Sequence, residues 1–184
     1  MSTPGGAPEL VVRLVEPGEH DAVARLTVEA YRADGQLEAS PEYAEVLADV
    51  AGRAAAAEVL VAVRDGVCLG AVTFTLPGGD FAEVSKPGEG EFRTLAVDPA
   101  AQRQGVARAL VQACIDRAAE LGCAALVICV RHDNDGAHAL YGGFGFARDP
   151  SLDWSPVPGV ELLGFRLPLP VLTRPVLAGP ILAQ

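Results

Sequence analysis

The spacing of apolar positions changes several times along this chain, and each change marks an element. Leu10 to Val15 is a short apolar run that predicts a strand. Pro17 opens a predicted helix with Val23, Leu26 and Ala30 on one face; it runs to about Arg32 and breaks at Ala33-Asp34-Gly35. Pro41 starts a second predicted helix with Tyr43, Val46, Leu47 and Val50 on its apolar side. Val59–Arg64 and Val67–Leu76 flank Asp65-Gly66, a two-residue hairpin signal. Pro77 to Gly90 is a glycine- and proline-rich loop with four charged side chains. Glu91–Val97 follows as a strand, whose alternation puts Glu91, Arg93, Leu95 and Val97 on one side.

After that strand the chain passes Val97-Asp98-Pro99, crosses a short loop and becomes a helix that reaches Leu121. Ala125–Val130 is a β-branched apolar run and predicts a buried strand. Ala137, Leu140, Tyr141 and Phe144 then fall at i, i+3, i+4 and i+7, one stripe of a helix. Gly145 is the expected stop of that helix, and Phe146 leads into another strand. Pro150–Gly159 reads as an irregular loop carrying the single tryptophan, Trp154, and Val160–Leu167 as a last strand. From Pro168 onward four prolines exclude a helix and a sheet interior, which predicts an extended tail on the protein or on a neighbouring copy.

Composition narrows the class. A chain of 184 residues, half of them apolar, can bury one full core and is not disordered. The expected organisation is a flexible lead over 1–9, one α/β domain over 10–167 and the proline-rich tail over 168–184. No apolar run reaches the length of a membrane span, and MSTPGGAPEL carries no secretion signal, so a cytoplasmic protein without a membrane partner is expected. The formal charge of −10 argues against nucleic acid and is compatible with a cationic amine. Cys68, Cys114, Cys123 and Cys129 show no metal spacing, so no metal is expected and the thiols read as free.

Two segments carry candidate chemistry. In the first, a strand breaks at Pro99 and feeds Gln102-Arg103-Gln104-Gly105-Val106-Ala107 into a helix. The first N–H groups of a helix lack partners inside it, and its dipole adds partial positive charge there, so this turn suits an anion. Gly105 lets a ligand approach the backbone, and Arg103 and Arg108 add charge suited to phosphate. No Walker spacing and no Gly-x-Gly-x-x-Gly is present. In the second segment Asn134 stands seven residues before Tyr141 and is a favoured helix cap.

These two ordered motifs, Val-x-Pro-x-x-Gln-x-x-Gly-x-Ala and Asn-x-x-Ala-x-x-x-Tyr-x-x-x-Gly-Phe, resemble the GNAT superfamily of N-acetyltransferases. The resemblance covers roughly residues 58 to 167, and Leu10 to Tyr31 more loosely. It implies an α/β fold with a mixed, mostly antiparallel sheet, helices on both faces and a splay between two central parallel strands, here Glu91–Val97 and Ala125–Val130. It implies acetyl-CoA as cosubstrate. The backbone of Leu95, Ala96 and Val97 would pair with the pantetheine arm. Gln102, Arg103, Gln104, Gly105, Val106, Ala107 and Arg108 would hold the pyrophosphate, and Asn134 would contact the arm.

By the same resemblance Tyr141 would donate a proton to the departing thiolate, and the Val97 amide would polarise the thioester. In histone-type members a glutamate at the position of Glu91 removes the amine proton. Ribosomal-protein-type members carry a glutamate where Cys129 stands, a departure that speaks against that acceptor type. The implied activity is acetyl transfer to a primary amine, of a small molecule or a peptide, by direct attack in a ternary complex. The alternative from another class is a catalytically idle acyl-CoA-binding or sensing module, and a homodimer stays open. Gly142-Gly143 is unusual inside a helix, costing about 1 kcal/mol per glycine.

Overall fold

The computed structural model describes residues 9–170, so most of the expected lead and tail lies outside the described residues. Strand β1 (Val11–Leu14) is followed by a 3₁₀ turn at Pro17–Glu19 and helix α1 (His20–Ala33). Helices α2 (Tyr43–Ala48) and α3 (Val50–Ala56) precede β2 (Glu58–Arg64) and β3 (Val67–Thr75). Then come β4 (Glu89–Val97), α4 (Val106–Glu120), β5 (Ala125–Arg131), α5 (Asp135–Phe144), β6 (Ala147–Arg148), β7 (Trp154–Val157) and β8 (Val160–Pro168). The sheet runs β1-β2-β3-β4-β5-β8-β6, with β7 also on β8. Among the described residues its one parallel pair is β4 with β5, and the other pairings are antiparallel. The expected fold class is the one found.

Both faces of the sheet are covered, which is why the central strands read as continuous apolar runs. On one face Leu60, Ala62, Val72 and Phe74 pack against Val106, Leu110, Val111 and Cys114 of α4 and Tyr141 of α5. On the other, Val59, Val61, Val63 and Ala71 meet Val23 of α1 and Val50 of α3. Alternation along β2 therefore divides its side chains between the two layers. The Asp65-Gly66 turn takes positive φ at both residues, as the hairpin signal requires.

The sequence expectations need three corrections. The helix expected from Pro41 through Val50 breaks at Asp49, whose side chain accepts the Gly52 N–H at 2.9 Å and so caps a separate α3. The loop expected over Pro150–Gly159 contains β7. That strand has one neighbour, β8, so Pro156 costs it no interior ladder bond. Finally, Leu95 and Val97 do not share a side with Glu91 and Arg93. Between the Ala71↔Ala96 and Thr73↔Arg93 pairs, β4 carries one residue more than β3. The extra residue lies at Thr94, which sits at φ 49°, rare for a β-branched side chain. Its hydroxyl is 2.7 Å from that of Thr73. The bulge shifts the alternation by one, so Phe92, Leu95 and Val97 face α4 and α5. Ala96 turns to Leu26 and Ala30 of α1.

Candidate active site

Backbone pairing between β4 and β5 stops early. Glu89, Gly90 and Glu91 pair with Ala125, Leu126 and Val127, and beyond them the strands separate. The edge of β4 from Phe92 to Val97 thus faces a gap, with Leu95, Ala96 and Val97 along it. Gly70 of β3 makes room for the helix that starts at the end of this edge. A Cβ there would come within 2.8 Å of Val106 Cγ1 and 2.9 Å of the Ala96 carbonyl oxygen.

The turn into α4 has the form of an anion cradle. Asp98 accepts the Ala100 N–H at 2.8 Å and starts a 3₁₀ turn over Pro99–Ala101. Arg103 then takes φ 60°, and Gly105, the N-cap of α4, takes φ 82°. A Cβ on Gly105 would meet nothing within 4 Å, so glycine answers here to backbone conformation, with open space beyond. The cap offers no side chain, and the first helical bond is the Ala109 N–H to Gly105. The Val106, Ala107 and Arg108 amides are the unpaired donors of this helix start. Gln102, Arg103 and Gln104 are exposed beside them; Gln104 accepts from Arg64 at 3.0 Å, and Arg108 lies over the Phe144 ring at 4.8 Å. A Cβ on Gly143 would sit 3.7 Å from Arg108 Nη1; nothing in the structure explains Gly142.

Across the gap, Asn134 caps α5 by accepting the Ala137 N–H at 3.0 Å. Tyr141 is 3% exposed, edge-on to Phe92 at 5.6 Å and tilted against Phe146 at 5.8 Å. Burial pushes its phenol well above the ordinary range, with Cys114 adding to the effect, so the hydroxyl stays protonated. Leu95–Val97 thus lie on the unpaired edge of β4, Gln102–Arg108 in the turn into α4, Asn134 at the start of α5, and Tyr141 on α5 against Phe92 of β4.

Glu91 lies on the opposite face. Its side chain is buried, and its Oε2 accepts N–H bonds from Glu83, Val84 and Ser85 at 3.0, 3.1 and 3.0 Å. The loop between β3 and β4 therefore folds over this carboxylate. Beyond it, Arg93 donates to the Phe81 carbonyl at 2.9 Å and pairs with the Glu83 carboxylate. Tyr43, Arg53, Thr73, Phe81, Arg93 and Thr94 enclose a small cavity of about 30 Å³. Arg53, 3% exposed, donates to the Val46 and Leu47 carbonyls and so closes α2. Cys129, from β5, has its thiol pushed up to about 12 by burial, then by Glu91 and Glu83. The sequence names Arg93 only by its side of the strand and marks neither Glu83 nor Arg53. The charges in the 77–90 loop were the available signal, but nothing local showed which way they point.

Comparison with known proteins bears on the family and the fold. Residues 21–146 match the model of the acetyltransferase (GNAT) family. A mycothiol acetyltransferase of Sanguibacter keddieii is 34% identical over 148 residues, 77% of this chain and 45% of that protein. The [ribosomal protein bS18]-alanine N-acetyltransferase of Escherichia coli is 45% identical over 58 residues, 32% of this chain and 39% of that protein. The chain thus spans less than half the length of these curated relatives. Among solved structures, an N-acetyltransferase from Thermoplasma acidophilum in complex with coenzyme A superposes with a TM-score of 0.67 at 12% identity. That match covers 85% of this chain and 98% of the other, and shows the shared fold.

Proposed function

Because the chain belongs to the GNAT acetyltransferase family, we propose that it moves an acetyl group from acetyl-CoA to a primary amine by direct attack with both bound. The observation that carries this reading is the β4–β5 splay, followed along the chain by the Arg103–Gly105 turn, with Tyr141 packed against Phe92 of β4. The unpaired edge over Leu95, Ala96 and Val97 suits the amide groups of the pantetheine arm, and the Val97 amide the thioester carbonyl. Gln102 to Arg108 suit the pyrophosphate. Asn134 spends its carbonyl oxygen on the Ala137 N–H, which leaves its NH₂ for the arm.

Tyr141 acts as the acid. Its phenol, held protonated in an apolar wall, gives a proton to the leaving sulfur. Cys129 is a neutral, half-buried thiol and so a poor acyl carrier, which favours direct attack over a covalent intermediate. In histone-type members of the family a glutamate at the place of Glu91 takes the amine proton; here that carboxylate is buried and accepts three loop amides. The acceptor is a small-molecule amine or a peptide amine; the relatives' names include both kinds.

Titration calorimetry with acetyl-CoA, on the wild type and on Gly105→Val, tests the coenzyme site. The variant forces a β-branched residue to φ 82° and puts its side chain into the open space above the turn. Binding should be lost while the melting curve stays cooperative; a folded variant with wild-type affinity would refute the site. Turnover with a panel of amines separates the enzyme from the idle binding module, which would bind and transfer nothing.

A further inference from the structure

One buried cation in this protein has no anion beside it. Arg53 is 3% exposed, and its two hydrogen bonds, to the Val46 and Leu47 carbonyls, both leave from Nη1. The Nε–H, buried with it, meets no acceptor. Among the described residues Nη2 donates to none either. The Nε–Nη2 edge, which matches a carboxylate with two parallel bonds, is therefore free. Two carboxylates lie in this region, and both are spent. Asp49 caps α3 through the Gly52 N–H, and Glu83 pairs with Arg93, the second guanidinium at the same cavity. Burial disfavours the charge on Arg53, and Arg93 repels it.

Arg53 lines the cavity of about 30 Å³ that α2, α3, β3 and β4 enclose. That is roughly twice what one water needs, room for the two oxygens of a carboxylate and too little for a whole substrate. Val46 and Phe81 give it apolar sides, where a bare guanidinium is poorly solvated. Thr73 and Thr94 share one hydrogen bond of 2.7 Å, which leaves one of their two hydroxyl hydrogens for a further acceptor. Thr94 also borders Leu95, the first of the three residues on the β4 edge assigned to the pantetheine arm. From Thr94 to the Val97 amide is three strand residues, about 10 Å. A lysine-like amino acid spans that length.

We propose, resting on the acetyltransferase reading above, that this cavity holds a carboxylate of the acceptor on the free edge of Arg53. The acceptor is then an amino acid with a side-chain amine, free or at the C-terminus of a peptide, and not a simple polyamine. Its carboxylate supplies the anion that Arg53 lacks, and its amine reaches along β4 towards the thioester.

The test compares matched amines on the full chain with acetyl-CoA: lysine with cadaverine, ornithine with putrescine, and a peptide ending in lysine as free acid with its C-terminal amide. In at least one pair the carboxylate-bearing member should have a kcat/KM about tenfold or more above its partner, because without it the free donors stay unpaired. Arg53→Met should bring that ratio to about one, and Arg53→Lys, which keeps the charge but not the paired donors, should retain part of it. Should Arg53→Met lose its cooperative melt, Thr73→Val, which removes one hydroxyl at nearly equal volume, serves in its place and should lower the same ratio. In the ¹⁵N-labelled coenzyme A complex, the Arg53 Nε–H resonance should move on adding Nε-acetyl-lysine and stay on adding N-acetylcadaverine. A wild type that binds the coenzyme but acetylates none of the amines overturns the acetyltransferase reading and this inference with it. Ratios near one in every wild-type pair, or a ratio that survives intact in the folded variant, overturn this inference alone.

Discussion

Replacing Glu91 by glutamine removes a charge and no volume, so it measures what the buried carboxylate contributes to the 82–85 loop. In the wild type Oε2 accepts three backbone N–H groups at 3.0 to 3.1 Å, and Oε1 is reached by Glu83 at 3.2 Å. The glutamine oxygen can take the Oε2 place, but the three bonds become neutral. A hydrogen bond to a charged group contributes about 1.5–3 kcal/mol and a neutral one about 0.5–1.5, so the three together lose about 3 kcal/mol. The new NH₂ also points a donor at the Glu83 N–H. In a chain of this size about 3 kcal/mol corresponds to a fall in Tm of roughly 6–12 °C. Circular dichroism melting gives the global value. Amide exchange at Glu83, Val84 and Ser85 locates it, since those three protons should exchange at least tenfold faster. A Tm within about 2 °C of wild type, with unchanged exchange at the three amides, would show that the carboxylate does not hold the loop.

Tyr141→Phe keeps the edge contacts with Phe92 and Phe146 and deletes one hydroxyl, so kcat should fall on the order of 10²-fold at unchanged coenzyme Kd. Stopped or steady-state kinetics showing wild-type kcat would leave the tyrosine as a core residue. Glu19 is held down to about 2 by its paired bonds from Arg13, at 2.8 Å each. Its folded value lies below its unfolded one. The stability it adds is therefore complete above about pH 4.5 and is lost as the pH falls towards 2. Urea titrations from pH 5 to pH 2 should show a shallower loss for Glu19→Gln than for wild type; parallel curves would contradict the pair's contribution.

What could be read from the sequence was local. The Asp65-Gly66 turn, the stripe of Ala137, Leu140, Tyr141 and Phe144, and the strand–turn–helix through Gly105 depend on residues within one or two turns of each other. All three stand in the structure as expected. The bulge did not show because Glu91–Val97 has an acceptable period-2 pattern in the shifted register. Its trace was the spacing of three between Phe92 and Leu95, which share a face only if a residue is inserted between them. The break at Asp49 depends on a side chain capping the next turn, and β7 exists because β8 offers an edge to Trp154 and Val157. The place of Glu83 depends on its N–H bond to Glu91 and its pairing with Arg93, which form only when the 77–90 loop folds over β4.

The Thr94 bulge also bears on how such a protein can change over time. Upstream of it, β4 turns the polar side chains of Glu91 and Arg93 towards the α1–α3 layer; downstream, its bare peptide edge serves the gap. Those two stretches draw on different atoms of the same strand. Substitutions at Glu91 and Arg93 act on the α1–α3 side of the strand, and the peptide groups at 95–97 stay where they are. Deleting one residue at Thr94 would do the reverse. Leu95 and Val97 would rotate out of the α4 layer, and both halves of the strand would be lost together. The α1–α3 side of this strand is therefore open to point substitution, while changes in its length are closed.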